Sequence, residues 1–296
     1  MSSKFTVVDI NKRYKSMALK TKKKSFLERI KEQIDESNVT IDASKPTAYV
    51  LEFNGSINAK EVESLRDEVS AIIMTEKTPE NVNVLVKLDS PGGTVTGYGL
   101  VSRQLSRLKE RGCDITVVVD QVAASGGYMA AVVSNKIVVA PNAIIGSIGV
   151  VCNIPIVEQL LDNLGIDYKE YTAGKYKRTV TSYRQPDEES EQHLNDQLAR
   201  IHTFFKEHIT KHRPDVDMEV LGTGEVWSGY EAVENGLADE IGIYDDIIME
   251  WIGKYQVLKV SKKADKKGFI GKFTTSLVES IGTKLQESTS IHNKFQ

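Results

Sequence analysis

From residue 49 onward, apolar positions switch between two spacings. Tyr49 to Phe53 alternates as a strand does, and Val62, Leu65, Val69, Ile72 and Ile73 then recur at helical spacing. Val82 to Leu88 is an apolar run of strand length. It passes through Ser90-Pro91-Gly92-Gly93 into a predicted helix with Leu100, Val101, Leu105 and Leu108 on one face. Ile115 to Val119 repeats the strand, the small residues of Ala123 to Ser134 predict a helix, and Lys136 to Ala140 predicts a fourth strand before Pro141. Strands alternating with helices across short turns predict an α/β domain. Its near-continuous Val/Ile/Leu strands call for a largely parallel sheet buried on both faces. Ligand chemistry in such sheets gathers at the strand C-termini.

Farther along, Ile154 to Gly165 predicts a helix, Tyr168 to Thr172 a short strand, and Asp187 to Arg213 a long helix with an acidic first turn. Ser228 to Asn235 and Asp245 to Gly253 predict short helices, and Gln256 to Val260 an edge strand. The outer parts read differently. Ser25 to Glu36 predicts a short charged helix, and Lys45-Pro46 marks the expected onset of compact structure. Beyond Lys262 the chain is charged and Gly-interrupted, yet Phe269, Ile270, Phe273, Leu277, Ile281 and Leu285 keep helical spacing, so this tail is expected to dock on the body or on another subunit rather than on a membrane surface. The expected division is residues 1–45, an α/β domain over 46–255, and 256–296.

Composition narrows the function. The 296 residues are 40% hydrophobic and 27% charged, an ordinary globular balance with enough chain for one good-sized core or two modest ones. A net charge of −3 gives no reason to expect a nucleic-acid partner. Cys113 and Cys152 form neither a disulfide framework nor a zinc spacing and read as small apolar fillers. No uncharged apolar run reaches the ~18 residues that a membrane-spanning helix needs, and no secretory signal is present. One local feature stands apart from the net charge. Lys12, Arg13, Lys15, Lys20, Lys22, Lys23 and Lys24 fall between Asn11 and Phe26 without an acidic residue, as in a basic arm that is either solvated or laid on an anionic membrane surface.

Two glycine-rich turns can carry chemistry, each where a strand hands over to a helix. Asp89-Ser90-Pro91-Gly92-Gly93 turns sharply and can present backbone N–H groups to an oxyanion. In Ala123-Ala124-Ser125-Gly126-Gly127-Tyr128, the Ser125 hydroxyl is flanked by residues too small to cover it, although a helix N-cap would also explain a serine there. A serine nucleophile needs a base. Of the five histidines, His193, His202, His208 and His212 lie along the long polar helix and are expected to face solvent, and His292 lies in the tail. Lysine is the remaining candidate, because desolvation or a cationic neighbour lowers an amine's pKa into the working range. Lys175 and Lys177, in Thr172-Ala173-Gly174-Lys175-Tyr176-Lys177-Arg178-Thr179, follow a glycine that can aim the segment back across the sheet.

These blocks, together with Gly146-Ser147-Ile148-Gly149-Val150, resemble the signal peptide peptidase A family of serine peptidases in its short, single-repeat SohB-like branch. The resemblance runs from about Tyr49 to Tyr244, with the motifs in family order. It implies a crotonase-like or Clp-protease-like fold, a peptidase domain over 46–255, Ser125 as nucleophile, and Lys177 rather than Lys175 as general base. The N–H groups of Gly93 and Gly126 match the family's oxyanion hole. Neither metal nor cofactor is required. The resemblance also implies ring-like or dome-shaped homo-oligomers, commonly on a membrane, whose substrates are cleaved signal peptides or other small unfolded segments. Members of the family usually begin with a transmembrane anchor. Its absence here implies an anchor removed or a naturally soluble relative. The basic arm would favour a cytoplasmic body, whereas the longer relatives work on the outer side of the membrane. Two rivals remain open: an acyl-CoA enzyme of crotonase type, which would place an acidic base near the oxyanion hole, and a non-catalytic membrane-associated scaffold. A phage-type maturation protease of the same family is a third context.

Overall fold

The computed structural model describes residues 5–20, 44–76 and 82–262, with side chains given to residue 17 in the first stretch. The chain forms two compact units. One, Val7–Ser261, carries the sheets and the cleft; the other is Met1–Thr6 with Lys262–Gln296, of which Phe5, Thr6 and Lys262 are described.

The alternation expected from the apolar pattern is present. Strand β1 (Phe5–Asp9) runs into helix α1 (Ile10–Lys20), β2 (Thr47–Asn54) is followed by α2 (Val62–Thr75), and β3 (Asn83–Asp89) by α3 (Val95–Lys109). Then come β4 (Asp114–Val119), β5 (Val122–Ala124), α4 (Gly126–Ala131), β6 (Lys136–Val139) and β7 (Ile144–Gly146). After α5 (Glu158–Asn163) the long α6 (Glu188–His212) crosses the molecule. The described residues close with α7 (Met218–Leu221), β8 (Val226–Trp227), α8 (Gly229–Glu234), β9 (Glu240–Ile241), α9 (Tyr244–Lys254) and β10 (Gln256–Lys262).

Seven strands make one sheet in the order β1-β10-β2-β3-β4-β6-β9. From β10 to β9 every neighbouring pair is parallel, with Tyr49 beside Val84 and Val84 beside Ile115. Val84, Leu85 and Val86 are each no more than 1% exposed. Helices cover both faces of this sheet, which is why its strands are continuous apolar runs rather than alternating ones. A smaller sheet holds β5, β7 and β8, with β5 and β7 parallel and β7 and β8 antiparallel.

The small sheet corrects the expectation of one helix over Ala123 to Ser134. Val122 to Ala124 lies extended beside Ser90: the Ser90 N–H donates to the Val122 carbonyl at 2.8 Å and the Ala124 N–H to the Ser90 carbonyl at 3.1 Å. The helix begins only at Gly126. Two further corrections concern strands. No strand forms over 168–172, where the alternating residues have no ladder partner and stay largely exposed. Nor is Gln256 to Val260 at an edge: β10 lies between β1 and β2, with Val257 fully buried. The helix predicted over Ile154 to Gly165 is shorter, Leu100 on α3 is 53% exposed rather than on the buried face, and Cys152 is exposed while Cys113 is buried.

The stretch expected to be a basic arm belongs to the sheet-bearing unit at its start. Ile10 is 2% exposed in a cluster with Val50, Leu85, Val118 and Ile248. Asn11 beside it donates to the carbonyls of Ile252 (3.1 Å) and Tyr255 (2.9 Å) and accepts the Val257 N–H at 2.8 Å. The helix expected over 25–36 and the apolar spacing of 269–285 lie outside the described residues. Among the described residues, no helix is long and apolar enough to cross a membrane.

Candidate active site

A cleft of about 940 Å³ opens beside the junction of the two sheets. The Pro91–Gly93 turn and the first turn of α3 form one wall, Ser125 and Gly126 the floor, Ser147 to Val151 a second wall, and Ile201, His202 and Phe205 of α6 the far side. Apolar side chains dominate this lining, and no Asp or Glu belongs to it.

Ser125 occupies a sharp corner between β5 and α4. Its backbone is at φ 50° and ψ −121°, a region that non-glycine residues enter only when their surroundings impose it. Here the Ser125 N–H is held by the Gly146 carbonyl at 2.7 Å, and the Ser125 carbonyl by the Met129 N–H at 3.0 Å. The side chain makes no capping bond to the helix. The corner therefore points the hydroxyl at the cleft instead of spending it on a helix end, the usual logic of a serine at a strained strand-to-helix turn.

Gly93 and Gly126 flank this hydroxyl along the cleft. Neither N–H has a hydrogen-bond acceptor among the described residues. Both positions exclude a side chain. A β-carbon at Gly126 would enter the ring of Tyr98, and one at Gly93 would strike the Ile57 carbonyl. The turn before Gly93 is braced from beneath: the Gly92 N–H donates to Ser90 Oγ at 3.1 Å, Ser90 Oγ pairs with the Tyr98 hydroxyl, and that hydroxyl donates to the Ser56 carbonyl at 2.9 Å.

Lys177 is not brought to this cleft within one chain. It is exposed, and the Lys177 side chain has no hydrogen-bond or ion-pair partner among the described residues. Its N–H closes a turn onto the Gly174 carbonyl at 3.0 Å. Over residues 151–187 only Thr181 is buried, so the segment carrying Lys177 makes little contact with the unit from which it projects. Lys175 pairs with Glu189 and sits 5.1 Å from the Tyr176 ring centroid.

The histidines correct a second expectation. His202 lines the cleft, its Nε2 3.1 Å from the Ile148 carbonyl. His208 Nε2 reaches the Met129 carbonyl at 3.0 Å and Ser102 Oγ at 3.3 Å. His193 stacks on Tyr176. All four helix histidines are thus partly buried and engaged, but none bonds to Ser125.

Residues 107–258 match peptidase family S49, and residues 2–105 match the family's N-terminal region. The chain belongs to peptidase family S49. It is 42% identical over 257 residues to a probable protease SohB of Haemophilus influenzae, covering 87% of this chain and 70% of that protein. A probable protease SohB of Buchnera aphidicola subsp. Schlechtendalia chinensis is 44% identical over 225 residues, covering 76% of this chain and 71% of its own. The signal peptide peptidase SppA named from Enterococcus faecium is 27% identical over 221 residues, covering 72% and 64% respectively.

As a member of family S49 this chain is a peptidase, and the cleft has features that its sequence blocks did not announce. Ser147, also at positive φ (49°), places a second hydroxyl in the cleft wall. It lies inside the Gly146–Val150 block that supports the resemblance, but nothing in that block marks the serine as lining the site. His202 could not be singled out from a helix whose buried apolar residues are only Phe205 and Ile209.

Proposed function

We propose that this S49 peptidase works through a Ser/Lys dyad. Ser125 attacks the peptide carbonyl, the oxyanion is received by the N–H groups of Gly93 and Gly126, and neutral Lys177 takes the serine proton. The acyl-enzyme is then hydrolysed by a water that the same amine activates. The observation that carries this reading is the strained Ser125 corner: a hydroxyl without a partner among the described residues faces a cleft where two N–H groups are also unused. No histidine competes for Ser125, because His202, the histidine that lines the cleft, is committed to the Ile148 carbonyl. The lining without Asp or Glu also speaks against an acyl-CoA enzyme of crotonase type, which needs an acidic base there.

Because Lys177 lies on an exposed segment outside its own cleft, the dyad is completed between copies in a ring or dome of identical subunits, Lys177 of one meeting Ser125 of the next. The exposed apolar side chains of that segment, Val151, Leu160, Leu164 and Ile166 among them, supply the surface that such a neighbour would cover. A crotonase-like or Clp-protease-like subunit suits this assembly. A largely apolar cleft fits small or unfolded peptides, cleaved signal peptides included, and a location at the cytoplasmic membrane would bring them within reach.

The test is covalent labelling and complementation. A fluorophosphonate probe should label wild type and fail on Ser125→Ala. Lys177→Ala should lose peptide turnover while Lys175→Ala keeps it. Mixing inactive Ser125→Ala with inactive Lys177→Ala subunits should restore turnover. A fully active Lys177→Ala enzyme would remove the lysine base. A mixture that stays inactive would place the base in the same subunit as its serine.

A further inference from the structure

Beyond the cleft, α3 and α6 flank a second, open pocket of about 430 Å³. Arg103 and Lys109 enter it from α3, and His208, Lys211 and His212 from α6. We propose that this pocket is a binding site for a phosphate-bearing dianion.

The first argument is charge. Arg103, Lys109 and Lys211 bring three cations to a pocket whose one carboxylate, Glu110, is already paired with Arg103. Two positive charges are left at neutral pH with both imidazoles uncharged, the complement of a dianion rather than of a single carboxylate. Lys211 has no ion-pair partner among the described residues. Lys109 is held by the carbonyls of Val133 (2.8 Å) and Ser134 (3.3 Å), which aim its ammonium without neutralising it. Arg213, next along the chain, adds further positive charge but is matched by Asp239 through two contacts of 2.6 Å. Asp114, at the start of β4, is an acid whose charge acts on Lys109 in the opposite sense to Arg213.

The second argument is the state of the imidazoles. His208 and His212 form an edge-on pair, ring centroids 5.0 Å apart, one helical turn from each other. Burial foremost, then His208, Lys109 and Lys211, hold the His212 pKa down to about 4. Burial also lowers His208, with Lys211 adding to the effect. Lys109 is lowered in turn, chiefly by burial and then by Arg213. Groups on two helices are thus held back from carrying charge, chiefly by burial and further by the cations that converge there. A bound dianion would relieve all of them at once, and guanidinium, ammonium and imidazole donors arriving from two directions suit a tetrahedral oxyanion.

A free phosphate compound and the phosphomonoester headgroup of phosphatidic acid present this same group, so the experiment has two arms, both on the full chain. Inorganic phosphate is titrated calorimetrically at pH 7 and constant ionic strength. Sedimentation is measured with vesicles of phosphatidic acid in phosphatidylcholine, against phosphatidylcholine alone. The variant is Arg103→Gln with Lys211→Gln, two exposed residues remote from Ser125, and Lys211→Arg is the conservative control. The expected result is saturable binding of one phosphate per chain, weakened at least tenfold in the double variant and kept in Lys211→Arg, with the His212 proton NMR titration moving upward when phosphate is present. Binding of the anionic vesicles alone, with the same loss in the double variant, would assign the group to a lipid headgroup. If neither phosphate nor vesicles distinguish the double variant from wild type, the site does not exist.

Discussion

The hydroxyls of Ser90 and Tyr98 meet beneath the turn that carries Gly93. With the Tyr98 proton on the Ser56 carbonyl, Ser90 must donate to Tyr98, leaving Ser90 Oγ to accept the Gly92 N–H. The relay runs from a β-strand exit to one edge of the oxyanion site. Tyr98→Phe breaks it in the middle, taking the acceptor from the buried Ser90 hydroxyl and the donor from the Ser56 carbonyl, which costs about 1–3 kcal/mol of stability. Denaturant unfolding should show that loss. Peptide turnover should fall in kcat more than in KM, since the relay positions an N–H used mainly in the transition state.

Gly126 lies against the same tyrosine from the other side. Gly126→Ala inserts a methyl group where the Tyr98 ring already stands. Overpacking of this kind costs about 1–3 kcal/mol, and here the displaced groups include the Ser125 corner. Labelling of Ser125 by a fluorophosphonate should slow by more than the loss of folded protein explains. Gly99→Ala, where a β-carbon meets open space, is the control and should do neither.

Acid should loosen the contact between α6 and the body. The pKa values of His208 and His212 are depressed in the folded chain, His212 to about 4, against an ordinary value of 6.5. Below pH 6.5 the unfolded chain takes up protons that the folded chain refuses, so stability falls as pH drops from about 6.5 towards 4. Above pH 6.5 these groups contribute no slope. Chemical denaturation across pH 4 to 8 should show the decline, and His212→Gln should flatten it.

Asn11 supplies a fourth prediction. Its amide bonds to Ile252, Tyr255 and Val257 hold the first helix to the end of α9 and the start of β10. Asn11→Ala removes three bonds and strands their backbone partners, for a loss of about 2–4 kcal/mol. Urea titration would measure it. An unchanged midpoint would mean that the start of the chain is dispensable to the fold.

What the sequence made legible was local. The run Val82–Leu88 read as a strand because both of its faces are covered, and α6 matched its predicted ends within a residue because Asp187 caps it through the Ser190 N–H. The Ser125 and Gly93 turns were visible because glycine and small residues mark strained corners. What escaped notice depends on neighbours distant in sequence. Val122 to Ala124 is a strand only because Ser90 and β7 lie beside it. Gln256 to Val260 is interior only because β1 arrives on its far side. The contacts of His202 and His208 are made by the turn after β7 and by α4, neither of which the period of α6 can report. Lys177 was picked out by resemblance, and nothing in its local pattern says which hydroxyl it serves.

The position of β10 has a consequence for how the chain is made. The last strand of the large sheet to leave the ribosome occupies the slot between two of the earliest, so β2 must wait with one edge open while some two hundred residues are added. During that interval its Tyr49-Val50-Leu51 stretch offers unpaired backbone to any passing strand. Synthesis of this peptidase therefore meets a topologically demanding step late, and nascent chains halted before residue 256 should be the ones that chaperones retain and that aggregate when chaperones are withdrawn.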